Sequence, residues 1–254
     1  MGLLKIINAI LRYTSVELVP KHSSLFKYFF YQTELKNLVC TFQDLVSNLD
    51  FDQIHILQIG ANDGVSFDPI YPLTKLKNVS LHCFESVPDY FSLLQLNYSD
   101  NKNIRSYNYD IGANNSEMKF YKVKAAFLAK YPDWAKGTST FYLDNLRLVD
   151  MKTKDIENID VKMITYKEAL ELCNLKCPNV LVIDAEGRDI EIFNSINFDS
   201  EMPEIILFEH FFAERKIGSE LFQNIIDILF ANGYLINFNS QDIVCYKPNN
   251  NLKN

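Results

Sequence analysis

Residues 56–64 read Ile56-Leu57-Gln58-Ile59-Gly60-Ala61-Asn62-Asp63-Gly64, a short apolar run that passes directly into a turn bounded by two glycines. The run has the length and composition of a buried strand. Gly60 and Gly64 let the backbone curl tightly and approach a ligand at the strand's carboxyl end, where open α/β sheets bind their ligands. The dinucleotide fingerprint needs a third glycine to admit a pyrophosphate, and this turn lacks it. A cofactor without phosphates is therefore expected, with Gly60, Ala61, Asn62, Asp63 and Gly64 as contacts.

Outward from this strand, short apolar runs alternate with amphipathic stretches, the pattern of βαβ units and a parallel sheet. Strands are expected at Ile54–Ile59, Ser80–Phe84, Ile104–Tyr109, Asn179–Ile183, Glu204–Phe208, Tyr234–Phe238 and Ile243–Tyr246. Helices are expected at Pro69–Leu76, Pro88–Asn97, Tyr166–Cys173, Arg188–Ser195 and Ser219–Ala231. Only Asn239 to Asp242 separate the last two strands, too few residues for a helical crossover, so these two form an antiparallel hairpin. The fold class is α/β: a Rossmann-like, seven-stranded, mostly parallel sheet ending in that hairpin.

Two further strand ends supply polar groups. Leu81-His82-Cys83-Phe84-Glu85 ends in an acid where such sheets place a carboxylate against ribose hydroxyls, although Glu85 also suits the N-terminus of the helix that Pro88 begins. Tyr107-Asn108-Tyr109-Asp110-Ile111-Gly112 ends the third strand, with Asp110 placed to accept from an adenine amino group and Ile111 to pack on the ring; a plain turn is the alternative. His55 and His82 alternate with apolar residues inside strands and read as packing residues.

Residues 51–254 form the sheet domain, interrupted around 118–163. There Met118 to Val123 reads as an extra strand and Trp134 to Asp160 as an irregular polar stretch, the mark of a lid or substrate-recognition insert. Within it, Gly137-Thr138-Ser139-Thr140 is either part of an acceptor site or a solvated loop. Residues 1–50 form a helical extension, with Phe26, Phe29, Phe30, Leu35, Leu38 and Val39 recurring at helical intervals. Met1 to Leu11 is amphipathic and shorter than the roughly 20 residues a membrane span needs. It lacks a secretory cleavage site, and it packs on the domain or, as the weaker alternative, docks on a membrane surface.

Composition narrows the partners. The chain has 254 residues, 48% of them hydrophobic, enough for a full core. A formal net charge of −7 argues against a nucleic-acid partner held through its phosphates. Five cysteines, an odd number in a long chain, fit a reducing, cytoplasmic setting better than a disulfide framework. Cys173 and Cys177 have no second pair to complete a zinc site and read as packing residues.

Several motifs in order resemble the FkbM family of S-adenosylmethionine (SAM) dependent methyltransferases. Ile59-Gly60-Ala61-Asn62-Asp63-Gly64 looks like the family's cofactor loop, and Cys83-Phe84-Glu85-Ser86-Val87-Pro88 is similar to its Phe-Glu-Pro segment. Val182-Ile183-Asp184-Ala185-Glu186-Gly187, continued by Asp189-Ile190-Glu191-Ile192-Phe193, looks like its most distinctive stretch, and Ile205-Ile206-Leu207-Phe208-Glu209 fits the strand that follows. The likeness runs from about Ile56 to Tyr246; Gln58 stands where the family usually has an acid, and Pro88 is displaced from directly after Glu85. The resemblance implies a class I SAM methyltransferase fold, SAM as cofactor and O-methylation of a hydroxyl on a sugar, glycan or natural-product acceptor.

Transfer to a hydroxyl calls for in-line positioning and a proton acceptor. Asp184, at the end of the fourth strand, stands nearest the chemistry, with Glu186 or His210 as base or substrate anchor and Glu209 nearby. For Glu186 and Asp189 helix capping is the alternative, and for His210 a packing or surface role. The same acids could bind a divalent cation, a reading we do not favour, so no metal ligand is assigned. Two rivals are a non-catalytic module with the same fold and a nicotinamide-dependent oxidoreductase; the missing glycine and the hairpin argue against the second.

Overall fold

Every residue of the central strand is buried except His55, which is half-buried, and a strand buried on both faces belongs inside a parallel sheet. The computed structural model describes residues 42–248 apart from 133, 134, 136, 149, 199, 210–217 and 239–241. Most of the expected N-terminal extension, the amphipathic residues 1–11 and His210 therefore lie outside the described residues. In chain order the strands are β1 (Ile54–Ile59), β2 (Val79–Phe84), β3 (Ile104–Tyr107), β4 (Asp110–Gly112), β5 (Ser116–Val123), β6 (Ser139–Thr140), β7 (Ile156–Thr165), β8 (Val180–Ile183), β9 (Ile205–Glu209), β10 (Leu235–Phe238) and β11 (Asp242–Tyr246). The helices are α1 (Phe42–Ser47), α2 (Pro88–Asn97), α3 (Leu143–Leu148), α4 (Tyr166–Cys173), α5 (Asp189–Asn194) and α6 (Gly218–Ala231).

Seven strands form the main sheet in the order β10-β11-β9-β8-β1-β2-β3. β1 pairs in parallel with β2 and β8, while β11 runs antiparallel between β9 and β10. This is the class I SAM methyltransferase arrangement, and the terminal hairpin is the feature that a dinucleotide-binding sheet lacks. Strand periodicity divides the core in two. Leu57, Ile59, Leu181, Ile183, Ile206 and Phe208 pack with α4, α5 and α6 on one face. Ile54, Ile56, Val180, Val182, Ile205 and Leu207 pack with α1 and α2 on the other. Residues one apart along a strand thus hold the two helical layers.

Three expectations need correction. The helix expected over Pro69–Leu76 is a short 3-10 helix, Tyr71–Lys75. The expected third strand stops at Tyr107, and Asp110–Gly112 joins a second sheet instead. The interval expected to be irregular, Trp134 to Asp160, ends inside the ten-residue β7, which pairs antiparallel with β5 and in parallel with β4. Only Val161 and Met163 of β7 are fully buried, so charged residues alternate with apolar ones and the composition reads as loop. The second sheet has the order β4-β7-β5-β6, and its Phe120 and Val161 pack on Val87 and Tyr90 at α2.

Helix α4 carries the chain from the second sheet back to the first. Thr165 caps it reciprocally with Glu168, and Asn174 ends it in the left-handed conformation, φ 55°. Thr165→Ala is expected to lower stability by about 1 kcal/mol and the unfolding midpoint by about 2–4 °C. An unchanged midpoint in a calorimetric scan would show that the cap contributes nothing.

Candidate active site

A cavity of about 650 Å³ opens over the carboxyl ends of β1, β2, β8 and β9. Its floor is the turn after β1. The N–H groups of Gly60 and Ala61 both donate to the Phe84 carbonyl, at 2.9 and 3.0 Å, tying that turn to β2. Gly60 has φ 80°, and a Cβ there would run into the Asp184 carbonyl oxygen. Gly64, φ 74°, is required by the Tyr98 ring and the Leu94 side chain that press on it from α2.

Glu85 follows β2 and is fixed at both oxygens. The Asn62 N–H donates to Oε2 at 2.8 Å and the Val87 N–H to Oε1 at 2.7 Å. Burial pushes its pKa up to about 7, against the opposing pull of those two N–H groups. Each oxygen keeps a second lone pair, and the residue lines the cavity. Such a group can accept from a pair of hydroxyls.

At the other side stand the acids of β8 and β9. Asp184, Glu186 and Glu209 all line the cavity. Asp184 is pushed upward by burial and then by Asp189 and Asp242; Glu186 by burial and then by Asp184; Glu209 by burial and then by Asp184. Asp184 keeps open surface facing the cleft, whereas Glu85 is buried. Glu186 adopts φ 50°, uncommon for a residue with a Cβ and worth attention at a cavity wall. Asp189, not Glu186, closes this turn by accepting the N–H groups of Ala185 at 3.3 Å and Gly187 at 3.2 Å.

The match to known sequences fits this geometry: residues 58–236 match the methyltransferase FkbM domain. The chain belongs to the FkbM methyltransferase family. Solved structures similar to this FkbM-family chain include a methyltransferase FkbM from Methylobacillus flagellatus KT, 12% identical, covering 79% of this chain and 45% of that one with a TM-score of 0.47. Others are a precorrin-6y C5,15-methyltransferase from Geobacter metallireducens GS-15 (12% identity, 84% and 91% coverage, TM-score 0.41) and an Aeropyrum pernix fibrillarin in complex with natively bound SAM (12%, 86% and 73%, 0.40). The chain spans 45% of the length of the Methylobacillus protein. No curated protein matches it.

Of the cofactor residues expected in this FkbM-family chain, Gly60, Ala61, Asn62, Glu85 and Asp110 line the cavity. Asp63 and Gly64 do not line it: Asp63 accepts the N–H groups of Val65 and Ser66 at 2.9 and 2.7 Å and braces the loop from outside. Ile111 does not line it either and is fully buried in the core. Asp110 forms a buried ion pair with Arg188 while still lining the cavity. Burial raises the Asp110 pKa to about 6, though Arg188 pulls it down. Arg188 also bonds Glu191 at 3.0 Å and lies 4.3 Å from the centre of the Phe141 ring. The sequence reading passed over Arg188; an arginine set between Glu186-Gly187 and Asp189 was the available signal. Gly137, Thr138 and Ser139 do line the cavity. His82 stacks on Tyr107, and burial lowers its pKa to about 4, in keeping with packing. Among the described residues, no group of three or more His, Cys, Asp or Glu side chains is arranged to hold a metal ion.

The raised acids set a pH dependence of stability. Between about pH 4.5 and 8 the folded chain keeps protons that the unfolded chain has released, so stability falls as pH rises. The unfolding midpoint is therefore expected to be lower at pH 8 than at pH 6, and Asp184→Asn to raise it at pH 8. A midpoint that rises with pH over this interval would contradict the arrangement of charges.

Proposed function

We propose that this methyltransferase uses SAM to methylate a hydroxyl oxygen on a sugar, glycan or natural-product acceptor. The observation that carries the reading is the pairing, across one cavity, of a backbone-braced carboxylate, Glu85, with the raised acids Asp184, Glu186 and Glu209. Bound SAM supplies a methyl group already activated on a sulfonium. Glu85 accepts the ribose hydroxyls, Asn62 holds that carboxylate in place, and the Gly60 turn lets the ligand lie close to the backbone. Asp184 takes the proton of the attacking hydroxyl, and its upward-shifted pKa suits a base working near neutrality. Glu186, which lines the cavity beside Asp184, serves as a second base or as the acceptor's anchor.

The cavity's charge favours an acceptor without phosphate groups. Asp68, Glu85, Asp110, Asp184, Glu186, Glu209 and Asp242 line it, and no Lys, Arg or His does so among the described residues. The second sheet contributes Phe120 and Ser139 to the wall, with Thr138 just before β6, and is the acceptor-recognition part of the chain in this reading. A cytoplasmic setting is supported by the free thiols of Cys83, Cys173, Cys177 and Cys245. No helix among the described residues is long and apolar enough to cross a membrane.

The test pairs binding with turnover. Asp184→Asn is expected to bind S-adenosylhomocysteine as the wild type does and to lose about 100-fold or more in methyl transfer across a panel of hydroxyl acceptors. Normal turnover in that variant would remove Asp184 from the chemistry. Activity that survives a chelator supports the base role, whereas loss on chelation would recast the acids as cation ligands.

A further inference from the structure

Asp68 stands on the cavity wall a few residues beyond the glycine turn, and no step of the reaction described above uses it. Its Oδ1 accepts the Ile70 N–H at 2.7 Å, and the Gln58 side chain lies against the carboxyl. Its Oδ2 is buried and has no hydrogen-bond partner among the described residues. Leaving a carboxylate oxygen dry and unpaired is costly, so such a group calls for a donor. No Lys, Arg or His lines the cavity among the described residues and Gln58 is a neutral donor, so a cationic ligand group is what would answer the charge at Oδ2.

Position says which donor. The sheet order places β2 and its Glu85 to one side of β1, and β8 with Asp184 to the other. Gln58 and Asp68 belong to β1 and the segment that leaves it, between those two ends. A SAM molecule held at Glu85 by its ribose would have this edge within reach of its methionyl arm, which ends in a compact ammonium with three N–H donors. We propose that the Asp68 carboxylate receives the α-ammonium group of SAM through Oδ2 and so fixes the amino-acid end of the cofactor. This rests on the cofactor reading given above.

The local backbone fits a residue placed for binding. Phe67, directly before Asp68, has φ 57° and is 78% exposed at the cavity rim. A phenylalanine in the left-handed region is strained, and little burial offsets that strain here. The turn at Phe67 brings the chain from the exposed Val65–Phe67 run back to the cavity wall at Asp68.

Calorimetric titration of the full chain with two ligands tests the assignment: S-adenosylhomocysteine, and its analogue S-adenosyl-4-thiobutyrate, which lacks only the amino group. The wild type is expected to bind the analogue about 10- to 100-fold more weakly, the span for a hydrogen bond between charged groups. Asp68→Asn is expected to lose a similar factor for S-adenosylhomocysteine and to stop distinguishing the two ligands. Equal affinities in the wild type, or full discrimination surviving in Asp68→Asn, would overturn the assignment while leaving the cofactor reading intact. A wild type that binds neither ligand would overturn both. If Asp68→Asn does not fold, the wild-type comparison still decides, and Asp68→Glu, which keeps the charge, is expected to retain part of the preference.

Discussion

The close approach of β1 and β8 at their carboxyl ends is the constraint on which the site depends. Gly60 lies so near the Asp184 carbonyl that no side chain fits between them, and the Asp184 N–H donates to the Ile59 carbonyl at 3.0 Å. One contact therefore sets two things: the tight turn that floors the cavity and the place where the β8 acids begin. The second tie, from Gly60 and Ala61 to Phe84, draws β2 in on the opposite side and brings Glu85 over Asn62. Three strand ends are thus locked into one rim before any ligand is considered.

That rim gathers carboxylates in a setting that works against their ionisation. Burial and mutual repulsion raise Glu85, Asp184, Glu186 and Glu209 together. A sheet designed only for stability would place apolar groups there, and such perturbed groups collect at functional sites because chemistry needs them. Arg188 answers part of this charge, though not inside the cavity. It is 4% exposed, pairs with Asp110 and Glu191, and leaves the cavity acids to face a ligand. Because Asp110 belongs to β4 and Arg188 precedes α5, the ion pair also clamps the second sheet to the first. Gly112 completes the clamp, since a Cβ there would meet both the Arg188 guanidinium and the Met163 sulfur.

Where the sequence was legible, one physical rule made it so. β1, β8 and β9 are nearly continuous apolar runs because both faces of the main sheet are covered, and the loops after them carry the glycines and acids. β7 escaped notice because only one of its faces packs, and Asp160 and Lys162 interrupt the apolar residues. Asp63 sits in the same motif and bonds its own loop, as a short acid beside backbone N–H groups does. Asp68 escaped because a lone aspartate before a proline reads as an ordinary turn residue.

The sequence by itself determined the α/β class, the terminal hairpin and the strand ends from which a site would be built. These follow from periodicity and spacing, which are local properties of the chain. The tertiary structure alone decided which of those groups face the cavity. Asp110 and Arg188 are 78 residues apart, Asn62 and Glu85 are 23 apart, and Thr140 reaches the Glu186 carbonyl across 46. A polar side chain takes whichever partner packing brings within about 3 Å, and that choice is not written in its neighbours along the chain.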